Sequence, residues 1–158
     1  MRAIIVHDSH TGNGEKLAGT LREHLTGHGF EVSVDHVSVR DPADAANAGP
    51  DLLVVGAALR KFQLSRASRR WLTAFDAAAR RAGITVACGA VFVTHGLPRD
   101  KVAWWAERFR RRMSRCTTIR HVHPDWVSGR VTAMAGPLAD DVPAEIERHA
   151  RLMAEAIS

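Results

Sequence analysis

Residues 8–14 read Asp-Ser-His-Thr-Gly-Asn-Gly, a run of short hydroxyl and amide side chains interleaved with glycines. Such a run can hold an anion. Hydroxyls donate hydrogen bonds, glycines let the backbone turn its N–H groups inward, and Ser, Thr and Asn cap a helix. Its neighbours strengthen the reading. Ile4, Ile5 and Val6 precede it as a continuous β-branched run, the pattern of a strand buried on both faces. From Lys16 the pattern becomes helical, with Leu17, Leu21 and Leu25 on one side and Gly27 and Gly29 ending the run. A strand, a polar turn and a helix in that order place unpaired N–H groups and a positive dipole end where a phosphate can sit.

Two known phosphate motifs fail against these residues. No glycine here is followed by Lys-Ser or Lys-Thr, so the triphosphate loop is absent. Gly12 and Gly14 supply two glycines of the dinucleotide fingerprint, but Leu17 stands where the third belongs. The segment instead resembles the flavodoxin phosphate loop, [ST]-x-T-G-x-[ST]. Ser9, Thr11, Gly12 and Asn13 match it, and Gly14 replaces the last hydroxyl. The resemblance implies that Ser9, His10, Thr11, Gly12, Asn13 and Gly14 hold the phosphate of FMN. Asp8 is expected to face away from it, and His10 to be a surface loop residue.

The same resemblance assigns the flavin ring to two further loops, through Ala58, Leu59, Arg60, Lys61 and Phe62 in one and Thr94, His95, Gly96 and Leu97 in the other. The chain has no tyrosine to stack on the ring, and neither loop has a tryptophan, so Phe62 and His95 are the nearest substitutes. Arg60 or Lys61 beside the ring stabilises negative charge on the reduced flavin and raises its potential. No catalytic acid, base or nucleophile is assigned, because the flavin itself carries the chemistry.

The elements that position these loops alternate. Phe30, Val32 and Val34 alternate with polar residues as in an edge strand, and a polar stretch with Pro42 and Pro50 reads as irregular or weakly helical. Leu52–Val55 reads as a buried strand ending at Gly56. Residues 64–81 read as a helix with Trp71, Leu72, Phe75 and Ala79 on one face. Residues 86–93 read as a central strand weakened at Gly89, and the next helix carries Val102, Trp105, Ala106, Phe109 and Met113 as a stripe. Residues 117–122 and 130–135 are both candidates for the last strand, as two halves of one interrupted strand or as a strand and its approach. Pro143 opens a final helix with Ile146, Ala150, Met153 and Ile157 buried. Strands alternating with helices predict an α/β fold of one domain spanning 1–158. The expected architecture is a three-layer, doubly wound, five-stranded parallel sheet, and its edge-like second strand suits the order 2-1-3-4-5 that the flavodoxin-like resemblance implies. Ligands of such sheets bind beyond the carboxyl ends of the strands, beside strand one.

Composition narrows the setting. With 158 residues, 46% of them hydrophobic, the chain can form one well-packed core. No stretch approaches the roughly 20 apolar residues of a membrane span, and no leader segment is evident. Cys88 and Cys116 lack metal or redox spacing, and Cys88 is expected to be a buried thiol, which favours a reducing cytoplasm. His121 and His123 form the one close histidine pair without a third ligand nearby, so surface positions and no metal are expected. The net charge is +5 and the pI about 10.2, carried by clusters at Arg60, Lys61, Arg66, Arg69 and Arg70 and at Arg108, Arg110, Arg111, Arg112 and Arg115.

A narrower resemblance concerns Val54–Phe62, similar to the V-I-G-A-S-I-R-Y-G region of the menaquinone-dependent protoporphyrinogen oxidase branch of the flavodoxin superfamily. Trp126 with Ala133–Leu138 is similar to that branch's last strand end. The branch carries a long insertion after that strand, whereas here Ala139, Asp140 and Asp141 lead almost directly to Pro143. Three functions follow in order. The first is an FMN-binding redox protein transferring electrons with a partner protein, an acidic one such as a ferredoxin suiting its arginines. The second is an FMN-dependent oxidase or reductase on the same scaffold. The third, ranked lowest, is a non-flavin module that binds nucleic acid through Trp104, Arg108, Arg111, Arg112 and Arg115.

Overall fold

The computed structural model describes residues 1–158. The chain opens with strand β1 (Arg2–His7), which leads through helix α1 (Asn13–Gly27) to β2 (Glu31–His36). A short helix α2 (Pro42–Asn47) and strand β3 (Leu52–Arg60) follow. Then come β4 (Gln63–Leu64), α3 (Arg66–Ala82), β5 (Val86–His95) and α4 (Arg99–Ser114). The chain closes with β6 (Ile119–Val122), β7 (Val127–Arg130) and α5 (Val142–Ile157).

The sheet order is β2-β1-β3-β5-β6, with β7 also paired to β5. All these pairings are parallel; the two-residue β4 pairs antiparallel with β3. Leaving out β4 and treating β6 and β7 as one position gives the expected order 2-1-3-4-5. The strand count differs from five for two reasons. The last strand is split by Pro124, and β3 turns back on itself as β4. The two-halves reading of the last strand is the one found, but the second half is Val127–Arg130 and not residues 130–135.

Alternation along the central strands builds two cores. Ile4, Val6, Leu53 and Val55 face α3 and α4, where Leu72, Phe75, Phe109 and Met113 meet them. Ala3, Ile5, Leu52 and Val54 face α1 and α5, where Leu17, Leu21, Ile146 and Met153 meet them. Burial on both sides explains the unbroken apolar runs of β1 and β3.

Two local expectations are corrected, and a third takes the helical of its two alternatives. Strand β3 runs through Gly56 to Arg60 without ending there, because Gly56 makes room for a side chain across the sheet. A Cβ on Gly56 would lie 1.9 Å from the tip of the Phe92 ring. Gly89 does not weaken β5, since its bare backbone accepts Met113 Sδ and Ile119 Cγ2, 2.7 and 2.9 Å from where a Cβ would stand. Residues 42–47 form a regular helix, capped where the Asp41 carboxylate accepts from Asp44 N–H at 3.0 Å.

Candidate functional site

The turn between β1 and α1 is built around one hydroxyl. Ser9 Oγ accepts from Gly12 N–H at 2.9 Å and from Gly14 N–H at 3.2 Å, which curls the chain back beneath itself. Gly12 makes the curl possible at φ 89°, a left-handed conformation that favours glycine. Helix α1 therefore begins at Asn13, three residues before the apolar periodicity reveals it. The N–H groups of His10, Thr11 and Asn13 have no acceptor in the protein. They stand at the amino end of a 15-residue helix, where the backbone dipole adds positive potential. His10 and Thr11 are exposed, and Asn13 and Gly14 are buried.

Asn13 locks the turn to the far end of the sheet. Its Nδ2 donates to Thr11 Oγ1 at 3.0 Å and to the Met134 carbonyl at 2.9 Å, while its buried Oδ1 has no partner. That oxygen lies 2.9 Å from where a Cβ of Gly136 would stand, so the glycine leaves the space beside it open. Residues 133–137, likened to a strand end, form an irregular turn that leans on the phosphate-loop candidate.

Asp8 corrects an expectation directly. It does not face solvent but is 4% exposed, with Oδ1 accepting from Ala58 N–H at 3.0 Å. Arg60 closes the contact, with Nη1 3.5 Å from Asp8 Oδ2 and Nη2 donating to the Asp8 carbonyl at 3.2 Å. A carboxylate with a backbone donor and a guanidinium can be buried without a large penalty. It also staples the end of β1 to β3. Arg60, expected as a charge beside a ring, therefore has its charge partly matched, whereas Lys61 has no carboxylate within ion-pair distance.

The two proposed ring loops are not alike. Ala58, Leu59 and Arg60 lie inside β3, and the chain reverses at Lys61 (φ 48°) and Phe62 (φ 61°). Phe62 is thereby thrust out, 65% exposed, against Trp105 with ring centroids 6.0 Å apart. On the other side Thr94 and His95 are the buried end of β5, and only Gly96 and Leu97 reach solvent. His95 cannot serve as an outward stacking ring. Its Nδ1 donates to the Leu97 carbonyl at 2.7 Å, so its Nε2 accepts from Ser128 Oγ at 2.7 Å. Burial pulls the His95 imidazole below its ordinary pKa, against the hydrogen bond to Leu97.

Beneath the 94–97 loop lies a polar network that the sequence did not disclose. The Arg99 guanidinium sits 4.2 Å over the Trp126 ring and pairs with Asp125 at 2.9 Å and Glu145 at 2.6 Å. Burial alone would raise the Glu145 carboxyl. Its contacts with His149, Ser128 N–H and Arg99 outweigh that and hold it below the usual range. His123, expected at the surface, is buried against His149 of α5. No group of three or more metal-ligating side chains occurs in the chain. Cys88 is buried, and burial pushes its thiol up to about 11, as it does for Cys116.

The phosphate-loop candidate thus follows β1, and the other two segments sit at the ends of β3 and β5. Strand β1 lies between β2 and β3, so the connections leaving β1 and β3 go to opposite faces of the sheet, the switch point at which ligands of such sheets bind. No helix is long and apolar enough to cross a membrane. No protein-family model matches the sequence, and comparison with curated proteins finds no match. Solved structures do match. Oxidised flavodoxin 2 from Bacillus cereus aligns at 16% identity and a TM-score of 0.74, covering 98% of this chain and 99% of that one. The flavodoxin of Streptococcus pneumonia TIGR4 aligns at 17% identity and 0.70, covering 98% and 99%. Rubredoxin oxygen:oxidoreductase from Desulfovibrio gigas aligns at 16% identity and 0.67, covering 99% of this chain and 36% of that one. With parallel order, two-sided core and whole-length superposition in agreement, the chain has the flavodoxin-like fold.

Proposed function

We propose that this protein binds FMN and exchanges electrons with a partner protein. The observation that carries the reading is the set of unpaired N–H groups at His10, Thr11 and Asn13, curled over Ser9 Oγ at the carboxyl end of β1. These groups fit a phosphate monoester, and the Thr11 hydroxyl stands beside them. The exposed Phe62 face and the Gly96–Leu97 turn are the surfaces available to a flat ring. FMN would supply one- or two-electron transfer there. The chain's own residues bind, orient and set charge. The Asp8–Arg60 contact fixes the end of β3, and Lys61 offers an ammonium that favours negative charge on a neighbouring ring. The excess of basic residues favours an acidic partner, with association that weakens as salt rises.

Titration of the purified protein with FMN tests the reading. We expect saturable one-to-one quenching of flavin fluorescence. Riboflavin, which lacks the phosphate, should bind at least ~10-fold more weakly because it loses the charge-assisted hydrogen bonds. Absence of saturable binding sinks the proposal. A second reading, an FMN-dependent oxidase or reductase acting on a small substrate, is favoured by a cavity bordered by Phe62. Steady oxidation of an added substrate with quinone or oxygen separates that enzyme from a carrier.

A further inference from the structure

The two arginine clusters noted in the sequence meet in space. Between the start of α3, the β3–β4 reversal and α4 lies a cavity of about 720 Å³. Its 14 lining residues include seven arginines and no lysine or acidic side chain. Arg60 has Asp8 as its counter-ion, but Arg66, Arg69, Arg108, Arg111, Arg112 and Arg115 have no carboxylate within 4.0 Å. Packing six uncompensated guanidiniums around one concavity is unfavourable unless an anion enters it.

Two of these side chains are already held in place. Arg69 is held by the carbonyls of Ser65 at 3.2 Å and Leu64 at 3.3 Å. Burial, followed by the charges of Arg112, Arg66, Arg108 and Arg70, lowers its pKa. Arg112 donates from Nη2 to Thr73 Oγ1 at 2.9 Å, and its buried Nε–H has no acceptor. Aromatic surface lines the same wall. Phe62 meets Trp105 at 6.0 Å, Trp105 meets Trp104 at 5.4 Å, and Arg108 lies 4.6 Å over Trp104. Trp104 is 59% exposed, a large apolar surface that no helix packing uses.

We propose that this cavity binds a nucleoside polyphosphate, with phosphates on Arg66, Arg69, Arg108 and Arg112 and the base against the Trp105–Trp104 wall. Arginine forks match phosphate oxygens, and an aromatic wall matches a base. The volume falls in the range of small-molecule sites, and the arginines ring a concavity where a polymer-binding surface would present a strip. The four arginines, Trp104 and Trp105 take no part in the 9–14 turn or in the surfaces offered to a flavin ring, so the site does not depend on FMN binding.

Calorimetric titration of the protein with ADP at low salt, with and without saturating FMN, tests the proposal. One-to-one binding is expected in both cases, with inorganic pyrophosphate at least ~5-fold weaker for want of stacking. The double variant R108Q/R112Q should lose at least ~10-fold in ADP affinity. Trp104→Ala, at an exposed position that does not endanger folding, should lose at least ~5-fold; both should keep wild-type affinity for FMN. No ADP binding, variants that bind ADP as the wild type does, or one-for-one displacement of ADP by FMN would each overturn it. So would tighter binding of an oligothymidylate or of polyglutamate than of ADP, which would assign the basic cavity to a strand or to a protein. A protein that takes ADP but not FMN would refute the redox reading and leave this one standing.

Discussion

His123 Nε2 lies 2.8 Å from His149 Nδ1, and the two rings are buried, 2% and 0% exposed. One of these nitrogens must carry hydrogen and the other a lone pair. His149 Nε2 in turn faces both Arg148 Nη2, at 3.1 Å, and Glu145 Oε1, at 3.5 Å. Burial, then the His149 charge, pushes the His123 imidazole from 6.5 down to about 4.

Stability should consequently fall on acidification. Below pH 6.5 the unfolded chain takes up a proton at His123 that the folded chain refuses until about pH 4, so unfolding is increasingly favoured across that window. His7 and His95, both lowered chiefly by burial, act in the same direction. Urea unfolding at pH 7.5 and pH 4.5 should differ by up to roughly 3 kcal/mol from His123 alone. A flat profile in wild type, or an unchanged slope in His123→Leu, would contradict this.

Gly56→Ala should be severely destabilising. The added Cβ meets the Phe92 ring at 1.9 to 2.4 Å in the middle of the sheet, and neither strand can withdraw. Overpacking of this kind costs about 3 kcal/mol. A combined Gly56→Ala/Phe92→Leu protein should recover part of the loss in thermal melts.

Ser9→Ala should loosen the turn before α1. Two N–H groups lose their acceptor at once, at a cost of about 1–2 kcal/mol in stability. FMN affinity should drop by roughly 10-fold, as the N–H groups lose their common orientation. Fluorescence titration checks the second effect and chemical denaturation the first.

Supplying the hydroxyl of the loop pattern that residues 9–14 resemble, by Gly14→Ser, should not tighten binding. The new Cβ would stand 3.2 Å from Ser9 Cβ and press on the side chain that organises the turn. We expect FMN affinity equal to or weaker than wild type, and a stability loss of about 1 kcal/mol. Tighter binding would show that the turn relaxes more readily than its packing indicates.

The fold was legible because its signal is periodicity. Apolar runs at residues 4–6, 52–55 and 86–93 demand two-sided cover, and the helical stripes between them supply it. What escaped was set by partners distant in sequence. Asp8 looked like a charge to be turned outward until Ala58 N–H, 50 residues on, proved to be its partner. His123 looked like a surface histidine because the ring that buries it lies 26 residues later on α5. Gly56 read as a strand end because the ring that fills its space belongs to Phe92 on another strand. Both arginine clusters were visible, but not their convergence, which follows from α3 and α4 covering the same face of the sheet.

The interruption between β6 and β7 bears on how copies of this chain avoid one another. An outer strand running unbroken along β5 would display a row of free amides and carbonyls, a template on which a second molecule could pair. Here that border is two four-residue pieces divided by Pro124, with His123 and Trp126 turned inward at the break. The opposite border, β2, carries Glu31, Asp35 and His36. Neither margin of the sheet offers a long, flat, apolar ribbon, which disfavours sheet growth from molecule to molecule.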